Sequence, residues 1–232
     1  MAETIKHIKL TRLAWDQLYY DDLSHIIANL VNSLFDKDRL HKDTIRILDV
    51  ACGTGEVMKS LSSYGFNPIG IDIQFGCALR AKKFGRVVVA DLLTLDSIFP
   101  KDHFDIVISS HVLEHLENPK IAVNAIKKIF SKWLIVVVPN LSRLANIAIR
   151  RPRYINREHF HGWDCHHLKT FLEVHCQLEI VRWVRDGIIL TPLRKTLLFK
   201  SKLLYFLEYK LLPVLMPQAT NSLIVLCRKL AV

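Results

Sequence analysis

Residues 47–56 read ILDVACGTGE: an apolar run ends in an acid, and two glycines, Gly53 and Gly55, follow one residue apart. The apolar run is typical of a buried strand, and the glycines allow a sharp turn into a helix and a close approach of a ligand to the backbone. Free N–H groups at the start of that helix favour an anionic or polar ligand. The stretch therefore predicts a ligand-binding strand–turn–helix unit.

The glycine spacing excludes the commonest alternative ligands. A pyrophosphate-binding loop requires G-x-G-x-x-G, and Met58 occupies the third glycine position here. The sequence also contains no G-x-x-x-x-G-K-[ST] motif, so it does not indicate nucleoside triphosphate binding.

Short apolar strands alternate with helical segments on both sides of this stretch. Such strands are typical of parallel strands buried on both faces, so the pattern predicts a doubly wound α/β sheet. We expect a single domain over 1–232, with a helical cap at 1–40, a cofactor-binding core at 41–140 and a substrate-side part at 141–232. The strands are predicted at 45–51, 67–73, 86–92, 104–110 and 133–139, with a closing pair at 178–184 and 222–230.

Two further acids stand at predicted strand ends. Asp72 ends the second strand and Asp91 ends the third, and ligands of open α/β sheets bind at the carboxyl ends of strands. An acid at the first position can accept the hydroxyls of a ribose, and one at the second can accept from an adenine amino group. The predicted ligand has a polar head, a ribose and an adenine.

In combination, ILDVACGTGE, GIDI, VVVADLLTLD and FDIVISSHVLEHLENP resemble successive motifs of the class I S-adenosylmethionine-dependent methyltransferases, most of all the branch that methylates small biosynthetic intermediates. The resemblance covers about residues 40–140. It implies a Rossmann-like, mainly parallel seven-stranded sheet with the last strand antiparallel, and S-adenosylmethionine as cofactor. The cofactor-binding residues that it implies are Asp49, Ala51, Gly53, Gly55, Asp72, Ile73, Asp91, Leu92 and Ser109.

Histidines supply the candidate catalytic bases. Methyl transfer needs a base only if the acceptor atom carries a proton that must leave. His111 follows the fourth strand, and a short helix would place His111 and His115 on one face, with Glu114 solvated or supporting the helix. His115 itself is expected to cap or pack that helix. His159 and His161, in REHFHGWDCHHL, are the second choice of base.

The histidine-rich stretch also raises the question of a metal. Its ligand-type residues fit no zinc spacing, and Asp164 in the same stretch is a plausible helix N-cap, so we expect no metal. The residues concerned are His159, His161, Cys165, His166 and His167.

Positive charge is concentrated after residue 140. Residues 141–232 carry 15 Lys/Arg against 6 Asp/Glu, whereas residues 1–140 carry 17 against 16. Arg151, Arg153 and Tyr154 are therefore candidate substrate-binding residues for an anionic acceptor, small or lipid-linked, and the alternative is a solvated basic loop.

The leucine- and lysine-rich segment at 191–217 has three interpretations: a lid, a packing helix or an interfacial membrane helix. No stretch reaches the ~18–20 apolar residues of a membrane span, and no signal peptide is apparent. The five cysteines are odd in number and predict free thiols in a reducing compartment. We expect a cytoplasmic protein with peripheral membrane contact as an option.

Two other functions stay open. An RNA or other macromolecule methyltransferase would suit the basic charge, but SSHV stands where nucleic-acid amino-methylating enzymes resemble one another in N-P-P-[YF]. The other is a non-catalytic cofactor- or partner-binding protein, against which the intact glycines and acids argue.

Overall fold

The computed structural model describes residues 2–35, 41–144, 158–190 and 202–230, without the side chains of 2–18. The chain forms two compact units, Met1–Val89 and Ala90–Val232. The predicted organisation as one domain with boundaries near 40 and 140 stays a prediction.

The first unit alternates helices and parallel strands. Its elements are α1 (Ala2–Phe35), β1 (Ile47–Val50), α2 (Glu56–Ser63), β2 (Ile69–Asp72), α3 (Phe75–Ala81) and β3 (Arg86–Val89). Strand β1 pairs with β2, and β2 pairs with β3, all in parallel.

Buried residues of the strands and helices form the core of the first unit. All four residues of β1 are buried, as expected for a parallel strand covered on both faces. Helix α2 buries Met58 and Leu61, and the hydroxyls of Ser24 on α1 and Ser60 on α2 form a buried hydrogen bond of 2.8 Å. Because each buried hydroxyl has a hydrogen-bond partner, burying the pair costs little free energy. The bond therefore fixes the position of α1 against α2.

The second unit begins with a short helix and contains four strands. Its elements are α4 (Leu95–Ile98), β4 (Phe104–Ser110), α5 (Pro119–Ile129), β5 (Phe130–Pro139), α6 (Cys165–Thr170), β6 (Leu178–Val184), α7 (Lys202–Phe206), α8 (Leu212–Leu215) and β7 (Ser222–Lys229). Strand β5 lies parallel to β4 and antiparallel to β7, and β7 is also antiparallel to β6.

The seven strands follow the order β3-β2-β1-β4-β5-β7-β6. The predicted fold class, a Rossmann-like doubly wound sheet that is mainly parallel with an antiparallel last strand, is confirmed. The residues Leu134–Val138 of β5 are all buried, which explains why the sequence of this strand is a continuous apolar run.

Local signals were partly predictable. The Asp164 side chain accepts from the N–H of His167 and caps α6, as predicted, whereas Asn118 precedes α5 without a side-chain capping bond. All five cysteines are free thiols. Among the described residues, no helix combines the length and the apolar character that crossing a membrane requires.

Candidate functional site

The turn after β1 has a left-handed backbone at three positions. Ala51, Gly53 and Gly55 have φ angles of 52°, 55° and 90°. A Cβ on Gly55 would lie 3.0 Å from Ala81 and Phe84, so both its conformation and its packing require glycine. A Cβ on Gly53 would meet nothing within 4 Å. The turn is therefore open at Gly53, where a ligand can approach the backbone.

Asp72, at the end of β2, holds this turn in place. Its Oδ2 accepts from the N–H of Gly53 at 2.8 Å, and its Oδ1 accepts from the N–H of Gln74 at 2.8 Å. Each carboxylate oxygen has a second lone pair, so the side chain can still accept from ligand hydroxyls. Ile73, the next residue, has an exposed side chain. Their predicted cofactor contacts stay predictions.

Asp49 lies one residue before the end of β1 and is buried. Its Oδ2 has no hydrogen-bond partner among the described residues. Burial, together with the nearby carboxylates of Glu56 and Asp72, raises the pKa of Asp49 to about 8. A cationic ligand can favour the ionised form of such a buried carboxyl group. The sequence alone did not reveal that the pKa of Asp49 is raised.

In the second unit, Asp91 caps a 3₁₀ turn. Its Oδ1 accepts from the N–H of Leu93 at 2.9 Å, and Leu92 is buried. Ser109, near the end of β4, is also buried, and its hydroxyl has no partner among the described residues. The predicted adenine and methyl-donor contacts of these residues stay predictions.

His111 follows β4 in a strained conformation. Its φ is 55°, uncommon for a residue other than glycine, and its N–H donates to the Val137 carbonyl at 2.9 Å. Its Nδ1 lies 3.2 Å from Oε1 of Glu114, whose side chain is only 1% exposed and whose Oε2 has no partner among the described residues. Strain and a buried acid at one strand end are typical of functional sites.

This pair corrects two expectations. Glu114 was expected to be solvated or to support a helix, and it is buried against His111 instead. The segment forms a 3₁₀ turn at Leu113–His115 rather than an α-helix, so His111 pairs with the residue three positions on and not with His115. The spacing of three residues between His111 and Glu114 is the signal that could have indicated the pair.

The histidine-rich stretch contacts the same turn. The N–H of Phe160 donates to the Glu114 carbonyl at 2.8 Å, and Nδ1 of His115 lies 3.0 Å from the Glu158 carbonyl. The His159 ring meets the His115 ring edge to face, with 4.7 Å between centroids. Burial lowers the pKa of His159 below its usual range, which favours the neutral ring that a base requires.

His161 has a different environment. Its Nε2 lies 3.3 Å from the Glu117 carbonyl, to which it can only donate, and its ring lies 5.8 Å from that of Trp163. These contacts give His161 a structural role. Its predicted catalytic role stays a prediction.

Glu114, His115 and His159 form a group that could hold a metal ion, since one ligand atom from each lies within 4.8 Å of the others. Only His159 belongs to the set that the sequence analysis considered. The expectation that the chain holds no metal is not tested by this geometry. The candidate acceptor ligands Arg151, Arg153 and Tyr154 lie outside the described residues.

The seven-stranded α/β sheet with an antiparallel seventh strand, opened by a glycine turn, defines the class I S-adenosylmethionine-dependent methyltransferases. Residues 19–179 match the family model described as methyltransferase domain, and the chain belongs to that family.

Individual relatives agree with this assignment. The chain is 28% identical over 160 residues to the ubiquinone biosynthesis O-methyltransferase of Rhodopseudomonas palustris strain BisB5, and the match covers 64% of this chain and 63% of that protein, less than two thirds of its length. A methyltransferase structure from Clostridium acetobutylicum has a TM-score of 0.60 at 15% identity and covers 98% of both chains. Magnesium protoporphyrin IX methyltransferase from Synechocystis, solved with bound SAH, has a TM-score of 0.58 at 16% identity, covering 90% of this chain and 85% of that one. At such identities the structures show the fold alone.

Proposed function

We propose that the chain uses S-adenosylmethionine to methylate an oxygen atom of a small or lipid-linked, anionic biosynthetic acceptor. The observation that carries this proposal is the contact between His111, strained at the end of β4, and the buried carboxylate of Glu114. A hydroxyl acceptor must lose a proton, and this pair would remove it.

The first unit would hold the cofactor. The open turn at Gly53 would contact the methionine part, and Asp72 would accept from the ribose hydroxyls while bracing the turn through the Gly53 N–H. Asp49, once ionised, would attract the cofactor's positive charge. In the second unit, Asp91 would accept from the adenine amino group through an oxygen that the 3₁₀ cap leaves available.

S-adenosylmethionine supplies an activated methyl carbon, so the protein must position the acceptor and remove its proton. Neutral His111 would donate from Nδ1 to Glu114 and accept the hydroxyl proton at Nε2. The carboxylate of Glu114 would stabilise the imidazolium that forms. The acceptor oxygen would exchange its proton for the methyl group of the sulfonium, which would leave as a neutral thioether, and His111 would hold the proton until it passes to solvent.

Two observations support the acceptor. The relative from Rhodopseudomonas palustris is named an O-methyltransferase of ubiquinone biosynthesis, which supports a hydroxylated, lipid-linked acceptor for this chain. The 15 Lys/Arg among residues 141–232 would attract an acceptor that also carries negative charge.

Methyl-labelled S-adenosylmethionine incubated with the protein and with separate lipid, polar-metabolite and RNA fractions tests the proposal. We expect label in the lipid or polar fraction, as a methyl ether. His111→Asn should lower the labelling rate by about 100-fold or more while it preserves cofactor binding, since Asn tolerates a positive φ. Label in the RNA fraction alone, or cofactor binding without labelling of any fraction, would contradict the proposed acceptor.

A further inference from the structure

One continuous helical run in the second unit exposes an unusual number of apolar side chains. Helix α7, a π-helical turn at Leu207–Leu211 and helix α8 follow one another without a break from residue 202 to residue 215. We call this run the 202–215 helix. Seven of the twenty exposed large apolar side chains among the described residues lie on or directly after it: Leu203, Tyr205, Phe206, Leu211, Val214, Leu215 and Met216.

The opposite face of the 202–215 helix is firmly attached to the second unit. Leu204 and Pro213 are buried, and Glu208 Oε1 accepts from the N–H of Leu190 at 2.7 Å. The Glu208 carbonyl accepts from the N–H of Ile188 at 2.8 Å. The apolar side chains are therefore displayed by a helix that is held in place, and their exposure does not come from a helix that has failed to pack.

The charged residues of the 202–215 helix also divide between its attached and its exposed side. Its one acid, Glu208, is buried. Lys202 and Lys210, on the helix itself, are exposed among the apolar side chains. Long lysine side chains can lie along an apolar surface and place their ammonium groups in the headgroup region of a bilayer.

We propose that the exposed face of the 202–215 helix docks on the surface of an anionic lipid bilayer. Its aliphatic and aromatic side chains would enter the boundary between headgroups and acyl chains, and its lysines would contact anionic headgroups. A protein partner or a second copy suits this face less well, because protein interfaces are depleted in lysine. The docking is independent of the proposed chemistry, since it requires neither cofactor nor acceptor.

Sedimentation of the full chain with vesicles of phosphatidylcholine, with and without phosphatidylglycerol, tests this proposal in the absence of S-adenosylmethionine. We expect binding to the vesicles that contain phosphatidylglycerol and a marked loss in high salt. Lys202→Glu with Lys210→Glu should weaken binding by about tenfold or more, because each lysine near an anionic surface contributes substantially. Lys101→Glu with Lys120→Glu reverses two exposed lysines elsewhere in the second unit, is the matched control and should have a much smaller effect.

An aliphatic pair tests the apolar contribution. Leu203→Ser with Leu215→Ser removes side chains that are 66% and 65% exposed, and should reduce vesicle binding by about tenfold or more. Ile121→Ser with Val174→Ser removes exposed aliphatic side chains elsewhere in the second unit and should leave binding unchanged.

Three results would overturn the proposal. The first is that the wild type does not sediment with anionic vesicles. The second is that both serine pairs bind vesicles equally well. The third is that the wild type does not bind vesicles but forms a dimer, measured by light scattering, and that Leu203→Ser with Leu215→Ser dissociates this dimer. The face would then be covered by a second copy of the chain.

Discussion

The backbone N–H of Gly53 donates to Oδ2 of Asp72 at 2.8 Å and so ties the glycine turn after β1 to the end of β2. The two residues lie 19 positions apart in the sequence, and both belong to the resemblance motifs. Asp72 therefore does two things in the proposed cofactor site: it is a candidate ribose ligand, and it shapes the turn that would receive the methionine part.

Replacing Asp72 by Ala should weaken S-adenosylmethionine binding by roughly 1–3 kcal/mol, because the ribose hydroxyls and the Gly53 N–H lose a charged acceptor. Titration calorimetry measures the change. Asp43→Ala removes an exposed acid of the first unit and is the control that should bind normally. Equal affinities for the Asp72 variant and the wild type would show that Asp72 does not contact the cofactor.

Cofactor binding should release a proton from Asp49. The pKa of Asp49 is raised to about 8, so at neutral pH the free protein holds it mostly protonated, and the positive charges of S-adenosylmethionine favour the ionised form. Affinity should therefore increase as pH rises toward 8. Calorimetry in buffers of different ionisation enthalpy should detect up to about one proton released at neutral pH, and none with Asp49→Asn. Equal proton release by wild type and variant would assign it to another group.

His111 and His161 should respond differently to the same substitution. His111→Asn should lower kcat by about 100-fold or more while it leaves cofactor affinity intact, because the proposed base is lost. His161→Asn should leave kcat near that of the wild type and instead lower the free energy of unfolding by about 1 kcal/mol, since it loses the bond to the Glu117 carbonyl. Labelling rates in the fraction that gains methyl groups, with urea unfolding in parallel, distinguish the two. The reverse pattern would make His161 the base.

The free energy of unfolding should fall as pH rises through about 7. Asp186 is buried, and burial raises its pKa to about 7, while its Oδ2 accepts from the N–H of Ser222 at 2.9 Å. Because the folded pKa is raised, this stabilisation is fully present below the ordinary value of 3.8 and is lost as pH rises through about 7. The loss amounts to a few kcal/mol at most.

Urea unfolding at a series of pH values should show a smaller loss for Asp186→Asn, which cannot titrate. Asp49 also lowers the free energy of unfolding as pH rises, because its pKa is raised as well. A double variant that also carries Asp49→Asn should therefore show a still smaller dependence of the free energy of unfolding on pH. Parallel curves for the wild type and Asp186→Asn would contradict the assignment to Asp186.

Arg151→Ala with Arg153→Ala should raise the KM for the acceptor and leave cofactor affinity unchanged, because these arginines are proposed to contact an anionic group on the acceptor. Arg182→Ala with Arg185→Ala removes two other exposed arginines of the basic half and is the control. A double variant at 151 and 153 with normal acceptor kinetics would mean that the arginine cluster is a solvated surface.

The sequence alone determined the fold and the positions of the proposed cofactor ligands. Apolar strands of four to ten residues, alternating with helices, specify a doubly wound sheet, and the carboxyl ends of its strands carry Gly53, Asp72 and Asp91. These features are local, because strand periodicity and the glycine requirement at a positive φ can be read within a few residues.

Only the tertiary structure decided the state of individual polar groups. Glu114 appeared solvated in the sequence and is buried on a 3₁₀ turn, where its side chain contacts His111 and its carbonyl accepts from the N–H of Phe160. The pKa of Asp49 depends on burial by several elements, and the outward face of the 202–215 helix depends on which side Glu208 attaches to Leu190. A leucine–lysine pattern is compatible with a lid, a packing helix or a membrane surface. Which side of the helix is attached follows from contacts between residues that are distant in sequence, such as Glu208 with Leu190, 18 positions away, which no local pattern encodes.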